Sequence, residues 1–139
     1  MRTVRTTLVL SVLWAVGTLA QQPQPTPPAA DANEVAWSAH LARTVGGEAE
    51  HRLPTGARVD VLTETVAWEV EWTRKWPESI GQSLYYASAS GRKPGVWLLK
   101  KGPEDDENWN ECLAVIQYLR GRGVEIEFRT TETKGEVPK

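Results

Sequence analysis

The sequence predicts an α/β domain with a mixed central sheet flanked by helices. Three observations predict it. Helix-like and strand-like segments alternate along the chain, the central strand carries a two-residue alternation, and most glycines and prolines fall between segments. The chain has 139 residues, 40% hydrophobic and 24% charged, an ordinary composition for one globular domain. Seven Trp against one Phe and one Met point to a small core built on indole rings. A formal net charge of −2 supplies no overall basic field for nucleic acid. The single Cys, Cys112, excludes an intramolecular disulfide and a Cys-based zinc site.

Residues 1–20 are set apart. Arg2 and Arg5 precede an uncharged, mostly apolar run, 8–20, that ends in Thr18-Leu19-Ala20, small residues at the positions a signal peptidase reads. The run is well short of the ~20 residues that a spanning helix needs. A cleaved secretory signal peptide is expected, with no membrane anchor after cleavage and a periplasmic or secreted product. No Cys follows the run, so lipidation there is excluded. Residues 21–32 read as a Pro-rich linker, 33–129 as the α/β domain and 130–139 as a frayed polar tail.

Asn33 caps a helix over 34–44 with Val35, Trp37 and Leu41 as its apolar positions, and Gly46-Gly47 stops it. Residues 48–53 and 58–62 read as strands joined by the turn Pro54-Thr55-Gly56. The third strand, 66–72, places Val66, Trp68, Val70 and Trp72 on one side and Ala67, Glu69 and Glu71 on the other. Pro77 opens a helix to about Ser90, with Ile80 and Leu84 facing the core and Glu78, Gln82 and Tyr86 sharing the other face. A strand over 96–99 follows. The last helix runs from Asp105 or Asp106 to about Arg120 on a stripe of Trp109, Cys112, Leu113 and Ile116, and a final strand covers 124–128. The order is αβββαβαβ, without an internal repeat.

Three carboxylates stand out chemically. Glu69 and Glu71 project from one strand face about 6.5–7 Å apart. Asp60, on the preceding strand, reaches that face if the hairpin register allows. Carboxylates sharing a sheet face repel unless a cation neutralises them, and a hard divalent ion takes such oxygen ligands. The same alternation equally describes the solvated face of an amphipathic strand. Gln82 and Tyr86, four apart on the next helix, can converge on the same cleft.

The ordered set Asp60, Glu69-Val70-Glu71 and Gln82-Ser83-Leu84-Tyr85-Tyr86 resembles the metal-dependent PD-(D/E)XK nuclease superfamily, most of all its branch with a QxxxY helix motif. With Arg58, Lys75-Trp76 and Ile80-Gly81 added, the run is similar to a group of small exported bacterial proteins with this core. The resemblance spans roughly residues 48–99 and implies a restriction-endonuclease-like fold. It implies Asp60 as the first metal-binding acid, Glu69 as the second, Glu71 as a possible further ligand, Glu50 as an upstream acid, and Mg or Mn as cofactor. It also implies that Gln82 and Tyr86 contact the backbone of DNA or RNA. The departure is at position 71, where the superfamily has Lys and this chain has Glu. That Lys orients the attacking water and offsets developing negative charge. Lys75, four residues on, is the candidate replacement, with Arg74 as its rival.

The expected activity is phosphodiester hydrolysis by an exported nuclease. Two alternatives stand beside it: an inactive nuclease-like domain that binds nucleic acid or another anionic polymer, and an envelope domain that binds a protein partner. Arg92, Lys93, Lys100 and Lys101 are candidates for a phosphate-binding rim. Trp72 and Trp76 are candidates for base stacking, although Trp72 alternates with core residues. His40 and His51 lack metal-ligand spacing and read as surface or capping residues, and Cys112 reads as a small core residue.

Overall fold

The computed structural model describes residues 24–134, so the signal peptide expected over 1–20 lies outside the described residues. Three helices and five strands follow in the order α1 (Glu34–Val45), β1 (Glu48–Arg52), β2 (Arg58–Leu62), β3 (Val66–Trp72), α2 (Trp76–Ser90), β4 (Lys93–Lys100), α3 (Asp106–Gly121) and β5 (Glu127–Glu132). The strands form one sheet in sequence order. β1, β2 and β3 are antiparallel because short turns join them. β3, β4 and β5 are parallel because α2 and α3 carry the chain back over the sheet.

Helices cover both faces. On one, Trp37, Leu41 and Ala42 of α1 pack on Val61, Val66, Trp68, Val70, Trp72, Trp97 and Leu99. On the other, Ile80 of α2 and Cys112 and Ile116 of α3 pack on Val96, Leu98 and Ile126. Tyr86 of α2 joins Leu53, Val59 and Ala67 in a smaller cluster. β4 makes this possible by alternating its side chains between the two layers. Gly95 leaves room for a neighbouring indole: a Cβ there would stand 2.5 Å from the Trp68 ring and 2.6 Å from Val66.

Several expectations are corrected. α2 packs through a small-residue stripe in which Ser79 and Ser83 are fully buried, and Leu84, expected in the core, is 36% exposed. Leu84 lies about 100° around the helix from Ser83 and so points off the stripe. His40 is buried, its ring edge-on to Trp37, and burial holds the imidazole towards its neutral form. The last strand starts three residues later than expected. Val124 N–H donates to the Leu119 carbonyl at 3.1 Å and the Arg120 guanidinium holds the Ile126 carbonyl, so this stretch turns the chain before the ladder opens at Glu127 opposite Gly95. Thr130 and Thr131, expected in a frayed tail, are strand residues pinned by the indole N–H groups of Trp109 and Trp97. Cys112 is a core residue, its thiol pushed up to about 12 by burial. No helix among the described residues is long and apolar enough to cross a membrane.

Candidate functional site

A split in the sheet creates the site. β2 and β3 are in register only at Val61↔Trp68 and Leu62↔Ala67. One residue further, Val70 N–H donates to the Asp60 carboxylate (2.9 Å to Oδ2), so the side chain satisfies a donor of the diverging strand. The cleft between the strands has a volume of about 350 Å³. Asp60, Glu69 and Glu71 line it from the sheet, Glu78, Gln82 and Tyr86 from α2, and Glu34 from the first turn of α1. Glu50, Arg58 and Lys75 complete its charged walls.

Glu69 and Glu71 are only 4% and 5% exposed, so they are not the solvated face of an amphipathic strand. Burial, and then the charge of Asp60, push Glu69 up to about 9; burial pushes Asp60 up to about 6. In the absence of a cation Glu69 therefore keeps its proton at neutral pH. Its Oε2 is buried with no hydrogen-bond partner among the described residues. Beside it, Tyr86 donates its hydroxyl to Gln82 Oε1 at 3.1 Å. The phenol is held well above its usual range by burial and by the Glu69 charge.

Glu71 is held differently. Its Oε1 accepts the Trp72 N–H at 2.8 Å and its Oε2 accepts from Lys75 Nζ at 3.1 Å. The chain leaves β3 through a tight helical turn, Thr73–Lys75, which brings Lys75 back over Glu71. Glu34 Oε1 is 3.7 Å from the same ammonium. Burial and a hydrogen bond with Glu71 push Glu34 up to about 7. Glu71 and Glu34 in turn raise Lys75, which stays charged.

Across the cleft, Glu50 adopts φ 56° in the middle of β1, the left-handed region that a non-glycine residue rarely occupies. It sits between the register pairs Ala49↔Val61 and His51↔Val59, opposite Asp60. Its Oε2 is 2.9 Å from Arg58 Nε.

The other sequence candidates lie elsewhere. Lys93 pairs with Glu125 at 2.7 Å, Lys100 with Asp106 at 2.6 Å and Glu132 at 3.2 Å, and Lys101 lies over the Trp72 ring. With Arg92 they line no part of the cleft, so the expected phosphate-binding rim does not form beside it. Trp72 is buried beneath Lys101 and Trp76 hydrogen-bonds Glu111, so neither offers a stacking face to the cleft. Arg74 does not line it either; Lys75 does. Glu34 and Arg58 escaped the sequence reading as site residues. Glu34 follows the cap Asn33, whose side chain accepts from Ala36 N–H, and that pattern signals only a helix start.

Among the described residues, no group of three His, Cys, Asp or Glu stands at metal-ligand spacing. Several of the carboxylate oxygens already accept hydrogen bonds: Asp60 Oδ2 from Val70 N–H, and Glu71 Oε1 and Oε2 from Trp72 and Lys75. The donor chemistry still fits a hard divalent cation, because Mg²⁺ is commonly held by one or two carboxylates and keeps its waters. Glu69 shares a carboxyl–carboxylate hydrogen bond with Asp60, and its Oε2 is buried with no hydrogen-bond partner among the described residues. Compared with protein-family models, curated proteins and solved structures, the chain matches none.

Proposed function

We propose that the chain is a divalent-cation-dependent nuclease on a restriction-endonuclease-like core, exported behind its N-terminal segment. The observation that carries this reading is the buried, unpartnered Glu69 oxygen beside Asp60 in a cleft that also gathers Glu71, Lys75, Gln82 and Tyr86. The element order αβββαβαβ and the parallel β3–β4 pair support the same reading.

Asp60 and Glu69 would hold Mg²⁺ or Mn²⁺, with Glu71 as a further ligand. Such an ion supplies Lewis acidity and lowers the pKa of a bound water. Bringing a cation to Glu69 expels the proton that burial keeps there. Lys75, at the far end of Glu71, presents a positive charge towards the place where charge develops on the phosphoryl oxygens. Glu71 and Glu34 orient that ammonium, which offsets the loss of a Lys at position 71. Gln82 and Tyr86 fix each other and face the substrate backbone from α2.

The test is titration of the purified chain with Mn²⁺ and Mg²⁺ against single-stranded DNA, duplex DNA and RNA, with Asp60→Ala alongside. Cleavage that needs the metal and Asp60 supports the reading; no cleavage of any substrate with either metal overturns it. Glu71 at the usual Lys position favours a second reading, a domain that keeps nucleic-acid binding without catalysis. Cleavage by Glu71→Lys from an inactive wild type would establish that reading.

A further inference from the structure

We propose that Arg52 and Arg58 form a phosphate-binding doublet at the mouth of the cleft, which seats the backbone of a single nucleic-acid strand next to the reacting position. The proposal rests on the phosphodiester reading of the cleft and names the contact that such a substrate makes outside it. The two arginines are direct partners across the β1–β2 hairpin and are both exposed. Directly opposed like charges destabilise a hairpin, so this pair works against folding. Arg52 enters no ion pair among the described residues. Arg58 stands with Nε 2.9 Å from Glu50 Oε2, and its two terminal nitrogens enter no ion pair among the described residues. A guanidinium held in this way presents its remaining N–H groups as a fork, the geometry that suits two phosphate oxygens.

The placement is as informative as the charge. Arg58 lines the cleft, and Arg52 lies across the hairpin from it on the outer side. Lys75 stands on the opposite wall, already engaged by Glu71 and Glu34. The left-handed backbone of Glu50 is the second unfavourable feature of this hairpin, and it brings the carboxylate to Arg58. Two unfavourable local features that converge on one cationic pair are explained by an anionic ligand that neutralises it. The lysines first considered as a rim lie over a ring or are spent on carboxylates.

The experiment measures binding of fluorescein-labelled dT20 to the purified chain by anisotropy, with Ca²⁺ as the cation, over a series of salt concentrations. Each phosphate contact to a single strand contributes about −0.7 to the slope of log K against log salt. Arg52→Ala/Arg58→Ala should flatten the slope by about 1.4 and weaken low-salt binding at least about tenfold. Arg52→Lys/Arg58→Lys should keep the slope, because the charge remains. Arg58→Ala also removes the ion pair with Glu50, so Arg52→Ala alone, which breaks no ion pair among the described residues, should flatten the slope by about 0.7 with thermal unfolding no lower than wild type. An unchanged slope in the double-alanine variant, or a wild type that does not bind dT20, overturns the doublet. The two proposals fail separately: metal-dependent cleavage with an unchanged slope removes the doublet alone, and doublet-dependent binding without cleavage removes the nuclease reading alone.

Discussion

Replacing Glu69 by Gln should largely remove the alkaline loss of stability that the buried carboxyl imposes. Folded, Glu69 is pushed up to about 9 from an ordinary value of 4.5. Between those values the native state keeps a proton that the unfolded chain releases. Its contribution is therefore complete below the unfolded value and is lost as pH rises towards the folded one. Each pH unit in that window costs about 1.4 kcal/mol, so from pH 5.5 to 8.5 the ceiling is about 4 kcal/mol. Water in the cleft and the interaction with Asp60 reduce the expected loss to about 2–3 kcal/mol. Asp60, raised to about 6, and Glu34, raised to about 7, have the same sign and act in the lower part of the range. Urea unfolding with EDTA, followed by tryptophan fluorescence at pH 5.5, 7 and 8.5, measures this. Wild type should lose stability steadily, while Glu69→Gln should be nearly flat above pH 7. Mn²⁺ should restore wild type at pH 8.5 and do little for the variant. Parallel pH profiles for the two proteins, or a wild type that gains stability with pH, would refute a proton held on Glu69.

Lys75→Ala should cut metal-dependent cleavage ~10²–10³-fold, the usual loss for a group that stabilises transition-state charge, while calorimetric Mn²⁺ affinity stays near wild type. At Glu50, whose φ is 56°, Gly should be about 1 kcal/mol more stable than Ala in chemical denaturation, because only Ala keeps the left-handed strain. Gly95→Ala, whose Cβ would stand 2.5 Å from the Trp68 ring, should destabilise by about 1–3 kcal/mol in the same assay. Expression in an exporting bacterium should yield a chain that begins at Gln21, and intact Met1 in the envelope fraction by mass spectrometry would count against cleavage.

Much of the fold was legible because it rests on local signals. Asn33 marked the start of α1, the turn Pro54-Thr55-Gly56 marked the first hairpin, and Pro77 lies within the first turn of α2. The alternation at Val66–Trp72 correctly separated the α1-facing indoles from the two glutamates. Errors came where packing overrode the local pattern. Leu84 reads as a core residue in any helical wheel that starts from Ile80, but α2 rests on the close contact that Ser79 and Ser83 permit. The register of β5 was hidden because Arg120, a side chain on the preceding helix, holds the carbonyl that decides where the ladder begins.

By itself the sequence determined which residues of β3 and of α2 share a face: spacing put Glu69 with Glu71 and Gln82 with Tyr86 and left Asp60 to the hairpin register, and the structure has all five lining one cleft. It could not determine that Glu69 and Glu71 are buried, since a period of two is the same for a solvated face and a covered one. Only the covering of that face by α2, and the arrival of α1 at its end, made Glu69 and Glu34 carboxyls that hold their protons well above the ordinary range. Glu34, Arg58 and the opposed Arg52 belong to the same class of fact. Their partners are distant in sequence or set by hairpin register, and electrostatic energy depends on separation and burial in space, which no local run of residues records.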